Sequence, residues 1–191
     1  MVNAKIINPN GWLWANTVAF AFSFALLAAV SQVIDILGAH GATALGLSSH
    51  VAATLASGAV VGFLQQRVLD ISPAERKRWV LLTSLVYAAC FIGGELLGGL
   101  FSGLAIAFIL FGLLSGFWQS ALFKAHSDKT HWWIAFSALG FATAGGVASL
   151  LLLAWGEAGL NAVPVILSQA LIGALCGAIS GALTGPGFKF I

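Results

Sequence analysis

Charged residues are what this sequence has least of. Only 7% of its 191 residues are Asp, Glu, Lys or Arg, whereas a soluble domain carries about 25% charged residues to keep its surface in contact with water. Apolar residues make up 60% of the chain, so a soluble globular fold is excluded. The net charge of +2 is small, and no basic stripe interleaves with aromatic residues, so we expect no nucleic-acid partner.

Proline and cysteine are also scarce. The 4 prolines are too few for a collagen-like or a disordered low-complexity chain. Cys90 and Cys176 each fall inside an apolar run, where a small packing residue is a better interpretation than a disulfide or a metal ligand. We therefore predict no metal site. Glycine, by contrast, is abundant at 23 residues and lies inside apolar segments, where membrane helices use it for close packing.

Long apolar runs dominate the rest of the sequence. A helix needs about 20 apolar residues to span a hydrocarbon core of about 30 Å, and six segments meet this requirement. They extend from about Trp12 to Leu37, Ser49 to Leu69, Trp79 to Leu100, Gly103 to Phe123, Trp132 to Trp155 and Ala162 to Thr184. The first run is longer than a signal-peptide core, so we interpret it as a retained helix.

These runs predict an all-α fold, a polytopic membrane bundle of six transmembrane helices. A stretch such as Ile106 to Leu114 is apolar throughout and lacks the alternation of a barrel strand. We expect one transmembrane domain over residues 1–191, built as three helical hairpins at about residues 12–69, 79–123 and 132–184.

The basic residues predict the orientation. Lys and Arg in short loops are retained on the cytoplasmic side of a membrane, and all eight lie on one side of the predicted helices. They are Lys5, Arg67, Arg76, Lys77, Arg78, Lys124, Lys129 and Lys189. The opposite side holds or borders Asp35, Glu95 and Glu157. We therefore expect a multi-pass protein of a bacterial inner (plasma) or thylakoid membrane, with both termini in the cytoplasm.

An internal repeat is visible at an offset of 54 residues. The first set of residues is Gly58, Gly62, Gln65 and Trp79, and the second is Gly112, Gly116, Gln119 and Trp133. A third unit begins with Gly173 and Gly177 but has Ser180 where a Gln is expected. Glycines four residues apart lie on one helix face and allow a neighbouring backbone to approach closely, so these six glycines are the predicted helix-packing positions.

Two other residue types complete the repeat. Gln65 and Gln119 lie about one turn from the predicted cytoplasmic end of their helices, where an amide can bridge to a neighbouring helix. The tryptophans at the same boundary are predicted interface anchors, because an indole settles at the depth of the lipid headgroups. They are Trp12, Trp79, Trp132 and Trp133.

The repeat resembles that of a family of uncharacterised bacterial membrane proteins. The segments GAVVGFLQQRVLDISPAERKRW, residues 58–79, and GLLSGFWQSALFKAHSDKTHWW, residues 112–133, are similar to repeats of polytopic proteins from cyanobacterial and Chloroflexi-type bacteria. In those proteins a G-x-x-x-G-x-x-Q helix end is followed by a basic loop and a Trp-led helix. The likeness extends over about residues 48–185; it implies the architecture and no activity.

Few polar groups occur at membrane depth. Glu95, within GGELLGG, is the one serious ionisable candidate, although a solvated helix end is the favoured interpretation because it lies near the far interface. Gln169 is the main polar candidate for a solute site. The four histidines, His40, His50, His126 and His131, fall in predicted loops. We expect them to be solvated. The alternative is that a histidine ligates the magnesium of a pigment.

Three functions remain open, and none is enzymatic, because no catalytic motif is present. The first is a non-catalytic accessory or assembly subunit that packs through glycine faces against other membrane proteins or against itself. The second is a small-solute transporter or its substrate-binding membrane component. The third is a pigment- or quinone-binding subunit of a photosynthetic or bioenergetic complex. The lipid bilayer is the one partner common to all three, and the sequence assigns no cofactor.

Overall fold

A computed structural model describes residues 9–37, 44–123, 129–158 and 165–190. The helices are α1 (Pro9–Ile36), α2 (Ala44–Gln66), α3 (Pro73–Phe123), α4 (His131–Ala158) and α5 (Val165–Thr184), and a short 3-10 segment, Gly185–Phe190, follows α5. No strand occurs in these ranges. The predicted all-α fold is therefore confirmed.

The long helix α3 folds back on itself. The ring centroids of Tyr87 and Phe111 lie 5.5 Å apart, whereas a straight helix would separate these residues by about 36 Å. The chain therefore forms two antiparallel limbs, Pro73–Leu97 and Gly103–Leu122. A Cβ atom on Gly103 would lie only 2.6 Å from the carbonyl oxygen of Gly94, so the two limbs meet where glycine permits close backbone approach.

Six helical spans are long and apolar enough to cross a membrane. They are Asn10–Ile34, Gly46–Gln66, Pro73–Leu97, Gly103–Leu122, His131–Ala154 and Val165–Gly187. Large apolar side chains such as Phe22, Leu85 and Leu139 remain exposed on the outside of the bundle, which suits contact with lipid and not with water. The protein is an integral, multi-pass membrane protein with the predicted number of spans.

Helices α2 and α3 begin more than one turn before the positions that the sequence predicts. Helix α2 begins at Ala44 and not at Ser49, so its first turn includes residues that were assigned to a loop. Helix α3 begins at Pro73, because Ser72 and Glu75 form a capping box: Ser72 N donates to Glu75 Oε2 at 2.8 Å, and Glu75 N donates to Ser72 Oγ at 3.3 Å. Proline is favoured at this first helical position.

The spans form a closed ring. Helix α1 packs against α2 and α5, α2 against α3, α3 against α4, and α4 against α5. The centre of the ring is an aromatic core of buried rings: Phe20, Phe24, Tyr87, Phe91, Phe108, Phe111 and Phe141. Buried Trp12, Trp79 and Trp133 pack with Leu69 and Ile71 at one end of the bundle, which we call the tryptophan end. The other end is called the cavity end.

Candidate functional site

The cavity end contains an open cavity of about 370 Å³. Its floor includes Phe24 and Phe91, whose rings meet edge to face with centroids 6.4 Å apart. These rings belong to the aromatic core, so the bottom of the cavity is apolar. The polar side chains in the lining are Ser31, Gln32, His50, Glu95 and Gln169. They come from α1, α2, the first limb of α3 and α5, so four elements converge on one space.

A close contact between His50 and Glu95 joins two of these elements. His50 Nε2 lies 2.9 Å from Glu95 Oε2, and the two side chains are 27% and 53% exposed. His50 therefore does not lie in a loop, as the sequence indicated, but in the early turns of α2. Glu95 lies near the end of its limb, as expected, and it faces a cavity and a partner. The contact is a full ion pair when the imidazole is protonated.

Gln169 lines the same cavity from α5, and Gln32 lines it from α1. Both side chains are half-buried, and an amide offers one acceptor and two donors. The sequence singled out Gln169 and Glu95 separately, and the structure brings them into one lining. Gln32 and Ser31 were missed, because their position after a long apolar run gives no signal of what they face.

The tryptophan end contains three matching hydrogen bonds. In each of them the N–H of a fully buried indole donates to an acceptor on the span that packs beside it. Trp12 Nε1 donates to Thr184 Oγ1 at 2.8 Å, Trp79 Nε1 to Gln65 Oε1 at 3.3 Å, and Trp133 Nε1 to Gln119 Oε1 at 2.9 Å. Both Gln–Trp pairs are 14 residues apart in the chain, and this common spacing is visible in the repeat, although spacing alone does not predict a contact.

Burial separates the four tryptophans that were predicted as interface anchors. Trp12, Trp79 and Trp133 are at most 1% exposed, whereas Trp132 is 45% exposed. The first three are part of the interior packing, and their indoles use a protein acceptor. Trp132 lies on the outside, where an anchoring role stays a prediction.

Gln65 also connects a third helix to these hydrogen bonds. Its Nε2 donates to Asn16 Oδ1 at 2.9 Å, and Asn16 Nδ2 donates to the carbonyl oxygen of Trp12 at 2.9 Å. Gln65 and Gln119 are both almost fully buried, and each contacts a neighbouring span. Neither amide faces lipid.

The glycine pairs lie against the span that carries the partner tryptophan. A Cβ atom would lie 2.9 Å from Val80 Cα at Gly62, 3.0 Å from Ile134 Cα at Gly116 and 3.1 Å from Leu13 Cα at Gly181. The contacted positions differ by 54 between the first two units, as the glycines do. The first glycine of each pair, Gly58 or Gly112, also leaves no room for a side chain, with backbone atoms at 2.7 Å in both cases.

The third unit is displaced by one helical turn from the sequence alignment. Gly181 takes the place of Gly62 and Gly116, so Thr184 and not Ser180 corresponds to the glutamines. Ser180 Oγ instead donates to the carbonyl oxygen of Gly177 within its own helix. Gly173 and Gly177 still pack tightly, because a Cβ on either would collide with the backbone carbonyl of α1 at Phe20 or Asn16.

The remaining histidines and acidic residues that the sequence singled out do not line the cavity in the part of the chain that the structure describes. His131 is exposed, and His40 and His126 lie outside the described residues, as do the side chains of Asp35 and Glu157. Within the described ranges no group of three His, Cys, Asp or Glu side chains could hold a metal ion.

No protein-family model matches this chain, and neither a curated protein nor a solved structure is similar enough to it to count as a match. The resemblance to bacterial repeat proteins therefore stays a prediction.

Proposed function

We propose that this membrane protein binds a small solute in the cavity at the cavity end. The observation that carries the proposal is the combination of an apolar floor and a few convergent polar groups in a space of about 370 Å³. Small-molecule sites have this construction, with volumes of about 300–1,000 Å³, mostly apolar walls and a small number of orienting polar groups. The solute-binding hypothesis of the sequence analysis thus becomes the preferred one.

The polar lining has a cost that packing alone does not explain. Ionisable side chains within membrane spans are expensive and mark a functional site by default. Glu95 and His50 reduce that cost by pairing at 2.9 Å, and both remain partly accessible from the cavity. A solute with a hydrogen-bonding head can exchange for one partner of this pair, while its aromatic or aliphatic body rests on Phe24 and Phe91.

The position of the aromatic core supports entry of a solute into the cavity from one end of the bundle. Phe20, Phe108 and Phe111 are fully buried and fill the bundle between the cavity and the tryptophan end. The ring centroid of Phe20 lies 5.7 Å from that of Phe108 and 6.3 Å from that of Phe111. A continuous pore would need polar or open space at this depth. The arrangement fits a binding component, or one state of a transporter, better than a channel.

A matched pair of variants on α5 tests the binding site. Gln169→Leu removes an amide from the cavity lining, whereas Ser168→Ala changes the adjacent residue, whose hydroxyl donates to Val165 O at 2.9 Å within the helix. The probes are small amines, alcohols and amides with aromatic or aliphatic bodies, and the readout is the thermal transition of the purified protein in detergent.

We expect a solute that stabilises both the original protein and Ser168→Ala, and that binds Gln169→Leu about tenfold more weakly, the effect of one lost hydrogen bond to a polar ligand. Binding that is the same in both variants, or no stabilisation by any probe, would contradict the proposal.

The accessory-subunit hypothesis loses its original motivation. It depended on glycine faces that would need a second protein to cover them. Gly62, Gly116 and Gly181 are covered by spans of the same chain, so these positions call for no partner. We place the glycine contacts instead in a three-unit repeat. In chain order, the second span packs against the third, the fourth against the fifth, and the sixth against the first.

We further propose that the tryptophan end faces the cytoplasm. The described basic residues Arg67, Arg76, Lys77, Arg78 and Lys129 all belong to this end of the bundle, in agreement with the retention of positive charge inside. Both termini would then be cytoplasmic, and the cavity would open to the opposite side of a bacterial inner or thylakoid membrane.

A further inference from the structure

A second, differently built groove lies at the tryptophan end, between α2 and the first limb of α3. Its volume is about 650 Å³. Three cationic side chains, Arg67, Arg76 and Lys77, line it together with apolar residues that include Phe63 and Leu81. The groove therefore joins a positively charged region to an apolar region on the outer surface of the bundle.

The cations are available for a ligand. Within the described ranges, none of the three forms an ion pair with a carboxylate. Arg76 Nε donates to the carbonyl oxygen of Ile71 at 3.1 Å, and the guanidinium carbon of Arg67 lies 4.8 Å from the centroid of the Phe63 ring. These contacts position the two arginine side chains, and neither contact neutralises the positive charge. The nearest acidic side chain in α3, Glu75, accepts a hydrogen bond from the backbone of Ser72.

Helix packing does not require these charges. At an offset of 54 residues, the positions of Arg67, Arg76 and Lys77 correspond to Ala121, Thr130 and His131. The packing residues are kept at the same offset, since Phe63 corresponds to Phe117 and Gly62 to Gly116. The second unit thus keeps these two packing residues without the three cations, so the cations serve a purpose other than helix packing.

A buried amide points to the chemistry of the ligand. Gln66 lines the charged groove and is only 7% exposed, yet its Oε1 has no hydrogen-bond donor in the part of the chain that the structure describes. An unsatisfied buried acceptor is unfavourable and is normally paired. Because three cations surround the site, an amine is disfavoured as the donor and a hydroxyl is favoured.

We infer that this groove binds an anionic phospholipid whose headgroup carries a hydroxyl, with the phosphate at the three cations and an acyl chain along Phe63 and Leu81. Arg and Lys are the side chains that recognise phosphate, and basic pockets at the headgroup level of membrane proteins bind anionic lipids. A free anion would leave the apolar part of the groove without an occupant. The inference is independent of the proposed solute site.

Native mass spectrometry of the full chain in detergent tests the inference, with phosphatidylglycerol as the probe. Phosphatidylcholine controls for the charge and the hydroxyl, and glycerol phosphate controls for the acyl chain. Lys77→Gln and Arg78→Gln form the matched pair, because these adjacent residues carry the same charge at the same end and only Lys77 lines the groove.

One phosphatidylglycerol molecule should bind at least tenfold more tightly than phosphatidylcholine and glycerol phosphate. Lys77→Gln should weaken it about fivefold, as expected for one basic residue near a headgroup, while Arg78→Gln should change it less than twofold. Equal weakening by both variants would show a general surface field and overturn the inference. Equal binding of glycerol phosphate would indicate an anion site, and a protein that co-purifies on the groove and blocks the lipid would indicate a docking surface; either result also overturns it.

Discussion

The buried tryptophans show how single residues hold the tryptophan end together. A buried indole N–H without an acceptor costs about 1–3 kcal/mol, and in this protein each of the three finds one on the adjacent span. The acceptor is a Gln in two units and a Thr in the third. The pairs therefore contribute more through the penalty that they avoid than through the net strength of the bonds.

Removing one acceptor tests this account. Gln119→Leu removes the oxygen that accepts the hydrogen bond of the buried Trp133 Nε1 at 2.9 Å. We expect the free energy of unfolding in detergent to fall by about 1–3 kcal/mol. Trp132→Phe is the control, because this neighbouring indole is exposed, and its effect should be below about 0.5 kcal/mol. A Gln119→Leu protein as stable as the original would show that the bond contributes nothing.

The sequence indicates the surroundings of the glutamines better than those of the tryptophans. Gln65 and Gln119 contact a neighbouring span, as their spacing after the glycines predicts. For the tryptophans the sequence predicts the lipid interface, because they begin the apolar runs. Position along the membrane normal is readable from hydropathy, but the direction that a side chain faces around the helix is not, since every face of these helices is apolar.

Several glycines lie where two helices come close together. Six of these glycines were predicted from the repeat, and close backbone contacts exist at all of them. The exact partner atoms were not predictable, and neither was the shift of one turn in the third unit, because the sequence offers Gly173, Gly177 and Gly181 at equal spacing. Tertiary contact with Leu13 and Asn16 decides which glycines correspond.

A comparison of two alanine substitutions tests the packing of α3 against α4. At Gly112 a new Cβ would lie 2.7 Å from Ser137 O and 2.8 Å from Phe141 Cβ, so Gly112→Ala should destabilise the protein by about 1–3 kcal/mol through overpacking. At Gly146 nothing lies within 4 Å, and Gly146→Ala should be neutral or stabilise the helix by up to about 1 kcal/mol.

Thermal unfolding in detergent measures both effects, and equal stability of the two variants would contradict close packing at Gly112. Gly46, which the sequence assigned to a loop, is unsuitable as a control because it lies inside α2 and is buried.

At the scale of the whole molecule, the sequence predicts the number of spans and their order, because about 20 apolar residues per crossing is a requirement of the bilayer. It does not predict the cavity. The cavity is lined by residues of all five helices beside the aromatic core, and it combines Gln32, Glu95 and Gln169 from distant parts of the chain. Such convergence depends on the ring order of the helices, which a single sequence leaves open.

The orientation of the ring is the last prediction. Cysteines introduced at Asp70, in the exposed turn at the tryptophan end, and at Ser48, an exposed position at the start of α2, lie on opposite sides of the membrane. The native Cys90 and Cys176 are 2% and 0% exposed, so they contribute little background. In intact cells an impermeant thiol reagent should label Ser48→Cys and spare Asp70→Cys, and both should react after the membrane is opened. The reverse pattern would place the basic end outside, against the retention of positive charge, and would make the cavity open to the cytoplasm.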